Sequence, residues 1–112
     1  MKELKTWNGK ASFKYSGSIE TGVVISFGTK PDTEEITQIQ CKEILKKFTG
    51  LEVLVGASRT TKHSNSFGYW LMDKIKTKRV ITSYISSILV EEGYAFFVNS
   101  HPAKEGGIIK FN

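Results

Sequence analysis

The sequence predicts a single α+β domain, and three patterns in it predict that class. Apolar and polar residues alternate near the N-terminus, apolar residues recur at three- and four-residue spacing through the middle, and short β-rich runs return at the end. Of 112 residues, 39% are hydrophobic and 24% charged, the balance of a folded domain rather than of a disordered chain. A chain of this length buries roughly two thirds of its unfolded surface, so one core forms without a disulfide or a structural metal. Cys41 is the only cysteine, which excludes an internal disulfide and a thiolate zinc cluster and points to a reducing, cytoplasmic setting. The first residues, Met1 to Asn8, hold no apolar leader segment, and no run approaches the roughly 20 apolar residues of a membrane span, so export and membrane insertion are not expected.

The first elements read as strands. Ala11 to Tyr15 alternates, Val23 to Phe27 is rich in β-formers, and either Ser16-Gly17-Ser18 or Glu20-Thr21-Gly22 can turn the chain between them, giving an N-terminal β-hairpin within residues 1–30. Gly28 to Pro31 breaks the pattern. Asp32 then reads as an N-cap with Glu35 reaching back to it, opening a first helix whose apolar residues are Ile36, Ile39, Cys41, Ile44, Leu45 and Phe48. Gly50 ends that helix, and Leu51 to Val55 reads as a strand. After a polar loop from Gly56 to Asn65, Ser64 or Ser66 caps a short second helix carrying Phe67, Trp70 and Leu71. Thr77 is the expected cap of a third helix, with Val80, Ile81, Tyr84, Ile85, Ile88 and Leu89 as its apolar stripe and Gly93 as its stop. Tyr94 to Val98 and Ile108 to Phe111 read as two strands closing the chain in a hairpin.

From Asp32 onward the order helix, strand, helix, helix, strand, loop, strand resembles the winged helix-turn-helix superfamily over residues 32–112. Ser66 to Leu71 correspond to the supporting helix, Lys76 to Arg79 to the turn and Val80 to Glu92 to the recognition helix, and Ile88-Leu89-Val90-Glu91-Glu92-Gly93-Tyr94 is similar to a helix-to-wing junction. The resemblance implies a small regulator of transcription or of a mobile element that contacts double-stranded DNA through the helix at 78–92 and the basic loop at 58–66, and the small, basic composition fits a bacterial or phage regulator.

Charge gives an independent reason for a polyanionic partner. Sixteen Lys and Arg oppose eleven Asp and Glu for a net +5, and the stretch from Val53 to Val90 accounts for all of that excess. Arg59, Lys62, Lys76 and Lys78 are the expected phosphate contacts, Lys104 is the wing contact beside His101 and Lys110, and Arg79 is the candidate for a base edge. Opposite the apolar stripe of the third helix, Thr82, Ser83, Ser86 and Ser87 form a small polar face suited to close approach to a groove, although the same residues also fit an ordinary solvated face. Exposed aromatics from Tyr69, Trp70, Tyr94, Phe96 and Phe97 would offer single strands a stacking surface as a lesser alternative.

Catalysis is not expected. Asp32 and Glu52 lack the lysine two positions after the second acid that a metal-dependent nuclease motif requires, the two histidines are far apart, and no glycine-rich phosphate loop is present, so no metal site and no cofactor are predicted. The competing reading is a protein-interaction module, an adaptor or inhibitor with an acidic protein partner, since fold alone does not fix function. The N-terminal hairpin is expected to cover the first helix or to pair across the axis of a homodimer.

Overall fold

The structure is a computed structural model of the chain that describes residues 2–6, 11–27, 33–55, 66–75, 81–99 and 107–112. It is mixed α+β, with two antiparallel sheets and three helices among the described residues. Strands β1 (Lys2–Lys5), β2 (Ser12–Ser18), β3 (Gly22–Ser26) and β4 (Thr33–Thr37) form one sheet in that order. Helix α1 (Gln38–Phe48), strand β5 (Glu52–Leu54), helices α2 (Phe67–Lys74) and α3 (Thr82–Glu91), and strands β6 (Ala95–Asn99) and β7 (Ile108–Phe111) follow. The second sheet has the order β5-β7-β6, so the last strand of the chain is its centre.

The expected hairpin is present as β2 and β3, turned through Ile19-Glu20-Thr21, with the Thr21 N–H donating to the Ser18 carbonyl at 3.2 Å. Ser16, Gly17 and Ser18 belong to the strand, which selects the second of the two possible turns. The hairpin is only half of the N-terminal sheet. Strand β1 escapes a sequence reading because Lys2-Glu3-Leu4-Lys5 is charged at three of its four positions, as an edge strand tolerates.

The expected start of the first helix is corrected. Thr33 to Thr37 pairs with β3, and the cap is Thr37. Its Oγ1 accepts from the Gln40 N–H at 3.2 Å while the Gln40 Oε1 accepts from the Thr37 N–H at 2.9 Å, the reciprocal pair of a capping box. β-Branched Thr33, Ile36 and Thr37 favour the strand, and one capping box has been displaced by another further along the chain. Ile36 therefore fills the core from the sheet, and Ile39 is left 69% exposed, while Cys41, Ile44 and Phe48 carry the buried stripe of α1. Asp32, the expected cap, lies outside the described residues.

Helix α2 is capped by Ser66, whose Oγ accepts from the Tyr69 N–H at 3.1 Å, satisfying one of the free donors of the first turn. Helix α3 begins at Thr82 behind Ile81 and has no side-chain cap; Thr77 and Val80 lie outside the described residues. Its C-terminus is a Schellman motif. The Tyr94 N–H donates to the Leu89 carbonyl at 2.9 Å and the Gly93 N–H to the Val90 carbonyl at 3.1 Å, with Gly93 at φ +84°.

Aromatic rings join the layers. Phe48 of α1 lies 5.1 Å from Phe67 and 5.2 Å from both Trp70 and Phe111, linking α1 to α2 and β7. On the other side of the molecule Tyr84 of α3 meets Phe13 and Phe27 edge-on at 5.1 and 4.9 Å, fastening the N-terminal sheet to α3. Glu92 strengthens that join through charge-assisted hydrogen bonds. Its carboxylate accepts from the Tyr15 hydroxyl at 2.8 Å and from the Ile19 N–H at 2.9 Å, and Lys2 pairs with Glu91 at 2.6 Å.

Cys41 packs in the core, where burial pushes its thiol up to about 11 from an ordinary 9.0, helped by the charge of Glu92. Because the folded-state value is raised, the stability held by the neutral thiol is complete below about pH 9 and is lost as pH rises from about 9 to about 11. Iodoacetamide at near-neutral pH is expected to label Cys41 only at the rate of unfolding, and fast labelling of folded protein would contradict its place in the core.

Candidate functional site

The expected DNA-binding residues divide into two groups. Arg59, Lys62, Lys76, Lys78, Arg79 and Lys104 lie outside the described residues, as do His63 and His101. Thr82, Ser83 and Ser86 are described, and α3 holds them differently from the expected outward face. Thr82 and Ser86 are fully buried, and the hydroxyl of neither has a hydrogen-bond partner among the described residues. Only Ser83 and Ser87 keep partial exposure, and the Ser87 hydroxyl donates back to the Ser83 carbonyl at 3.1 Å.

The cause lies in the position of the helix. Ile85, Ile88 and Leu89 face the core, while the N-terminal sheet and β6 approach from the opposite side, so Glu91 is the single exposed residue of the ten in α3. Ser87 and Val90 form the floor of a cleft of about 370 Å³ whose walls are Leu4 and Lys5 of β1 and Phe97 of β6. A helix read by a major groove must project beyond its neighbours, and this one is recessed between two strands. Small hydroxyls at 82 and 86 let α3 pack closely rather than meet a groove.

Removing those hydroxyls should therefore cost nothing. Thr82→Val and Ser86→Ala each delete a fully buried hydroxyl that has no partner among the described residues, and each is expected to leave stability unchanged or to raise it by up to about 1 kcal/mol. Urea unfolding of the two variants checks this; a loss above about 1 kcal/mol in both would mean that the hydroxyls are bonded.

Lys110, placed by the sequence among the wing cations, is engaged with its own chain, Nζ donating to the Gly50 carbonyl at 2.9 Å and to the Phe111 carbonyl at 3.3 Å. Of the aromatics, Tyr69 is exposed while its neighbour Trp70 packs on Phe48, and Phe96 and Phe97 are exposed together on β6. Among the described residues no three of His, Cys, Asp and Glu converge as metal ligands do, and no helix is long and apolar enough to cross a membrane.

The candidate cations are therefore known by their place in the sequence alone, where residues 53–90 hold six Lys and Arg against one acid. The Val55 N–H donates to the Gly107 carbonyl at 3.0 Å and the Gly68 N–H to the Val55 carbonyl at 2.8 Å, so Val55, Gly68 and Gly107 meet beside the small sheet. No protein family matches this chain, and no curated protein or solved structure does either. Charge and geometry are therefore what point to a function.

Proposed function

We propose that the chain is a DNA-binding protein that holds the phosphate backbone of a duplex through its basic residues, with Arg59, Lys62, Lys76, Lys78 and Lys104 as phosphate contacts and Arg79 approaching a base edge. The observation that carries the reading is the distribution of charge along the sequence, with Arg59, Lys62, Lys74, Lys76, Lys78 and Arg79 against Asp73 alone between residues 53 and 90, which is the whole net +5. Backbone binding of this kind asks nothing of the buried face of α3. The winged helix-turn-helix reading adds support: α1, β5, α2, α3, β6 and β7 follow in the order that superfamily uses, and the β6-β7 pair is the antiparallel hairpin a wing requires. Thr82 and Ser86 drop out of the contact set because they are buried, and Ser83 alone of the three retains a surface to offer.

Single substitutions test the division of labour. Replacing Arg59, Lys62 or Lys104 with alanine is expected to weaken binding to any duplex and to flatten the plot of log affinity against log salt by about one unit each. Arg79→Ala is expected to weaken binding and also to reduce discrimination between duplex sequences. Unchanged affinity and slope in all four variants, with the fold intact by circular dichroism, would refute the proposal.

The second reading, a protein-interaction module in the cytoplasm, draws on one specific observation. Phe96, Phe97 and Val98 are exposed in succession on β6, more apolar surface than a strand facing only water needs.

A further inference from the structure

Among the described residues, strand β1 borders two clefts that differ in what they leave available to a ligand. One, of about 470 Å³, is lined by Lys2, Tyr15, Ser16, Gly17, Glu91 and Glu92. Its charged groups are already engaged, Glu92 accepting from Tyr15 and Ile19 and Glu91 pairing with Lys2. The other is the cleft of about 370 Å³ between β1, α3 and β6. Half-buried Leu4 and Val90, with Phe97, make its surface apolar. Two charges border it. Glu91 is neutralised by Lys2 at 2.6 Å, whereas the side chain of Lys5 has no ion pair or hydrogen bond.

From this contrast we infer that the second cleft is a binding site for a small aliphatic monocarboxylate, its tail against Leu4, Val90 and Phe97 and its head at Lys5. The volume lies within the range of about 300–1,000 Å³ found for small-molecule sites, and an apolar lining with a few polar groups is their usual composition. The polar groups set the direction of the ligand. On the floor, the Ser87 hydroxyl has given its proton to the Ser83 carbonyl at 3.1 Å, so it has no donor to offer an anion. The carboxylate therefore belongs at the rim, where Lys2 and Lys5 against Glu91 leave a net positive charge. The same balance disfavours a ligand with an ammonium head, since its attraction to Glu91 is already met by Lys2. Bound there, the tail would lie between the N-terminal sheet and the two elements it faces, adding to the join that Tyr84 and Glu92 make.

Octanoate titrated into the full chain without DNA, and followed through the backbone amide resonances, tests the inference, with octylammonium and 1-octanol as the cationic and neutral probes of the same tail. Octanoate is expected to shift the amides of Leu4, Lys5, Ser87, Val90 and Phe97 with one saturable dissociation constant of about 0.3–3 mM. Hexanoate, shorter by two methylenes, should bind about tenfold more weakly. Lys5→Gln, at an exposed position, should weaken octanoate about threefold to fivefold and leave 1-octanol unchanged. Ser87→Leu fills the floor and should weaken both about tenfold or more; if that variant does not fold by circular dichroism, Lys5→Gln decides alone. No saturable shift up to about 10 mM octanoate, shifts away from the cleft, octylammonium binding as tightly as octanoate, or an unchanged constant in Lys5→Gln would each overturn it. None of these readouts involves DNA, so the result stands apart from that of the proposed function.

Discussion

Phe48→Ala is expected to lose about 3–5 kcal/mol. Phe48 ends α1 and touches Phe67, Trp70 and Phe111, so one ring holds a helix from each side of the basic loop to the last strand of the chain. Its neighbours are rings in fixed edge-on and stacked arrangements, which close poorly around a cavity. Against a total stability of about 5–15 kcal/mol for a domain, that loss takes the chain close to unfolding. Urea denaturation should show the midpoint falling with little change in slope. Ile39→Ala, on the same helix but 69% exposed, should change stability by no more than about 0.5 kcal/mol. Equal shifts in the two variants would show that the aromatic group does not hold the layers together.

Gly17→Ala is expected to follow closely, at about 3 kcal/mol or more, for a reason in the backbone rather than the core. Gly17 has φ +84°, and a Cβ there would lie 2.2 Å from the Gly22 carbonyl oxygen across the hairpin. No side chain can move aside, because the obstacle is the backbone of the paired strand, so the β2-β3 ladder must open. Gly93 provides the control. It has the same φ of +84° at the end of α3, but nothing lies within 4 Å of its would-be Cβ. Gly93→Ala should therefore cost only the left-handed conformation, about 1–2 kcal/mol. At roughly 4–8 °C per kcal/mol for a domain near this size, the two melting temperatures should be clearly separated. A Gly17→Ala chain as stable as Gly93→Ala would mean that the hairpin can accommodate the methyl group.

Much of the element order was legible because period and punctuation agree. The run from Val80 to Leu89 has helical spacing, Gly93 stops it, and Ile108 to Phe111 is bounded as a strand should be. The N-terminal third misled for physical reasons. Asp32 with Glu35 forms a capping signal as good as Thr37 with Gln40, and only the pairing of Thr33 to Thr37 with β3 decides between them. Strand β1 has no apolar signature because it lies at an edge.

The burial of Thr82 and Ser86 was not legible in the sequence. A hydrophobic stripe reports one buried side, and small hydroxyls on the rest read as solvent-facing until a second layer is known. Tyr84 meeting Phe13 and Phe27, together with Glu92 holding Tyr15 and Ile19, places that layer over α3, and both contacts join segments far apart in the chain.

If Arg59, Lys62, Lys76, Lys78 and Lys104 hold DNA through its phosphates, binding must follow the release of counterions from the duplex. Fluorescence anisotropy of a random duplex of about 20 base pairs, titrated with the unmodified chain at several salt concentrations, reads that dependence. Binding is expected at low salt and should weaken with a log–log slope of about −4 to −6, one counterion or nearly so for each phosphate contact, with the same slope in the Thr82→Val, Ser86→Ala double variant. No binding at low salt, or binding indifferent to salt, would contradict the proposed phosphate contacts.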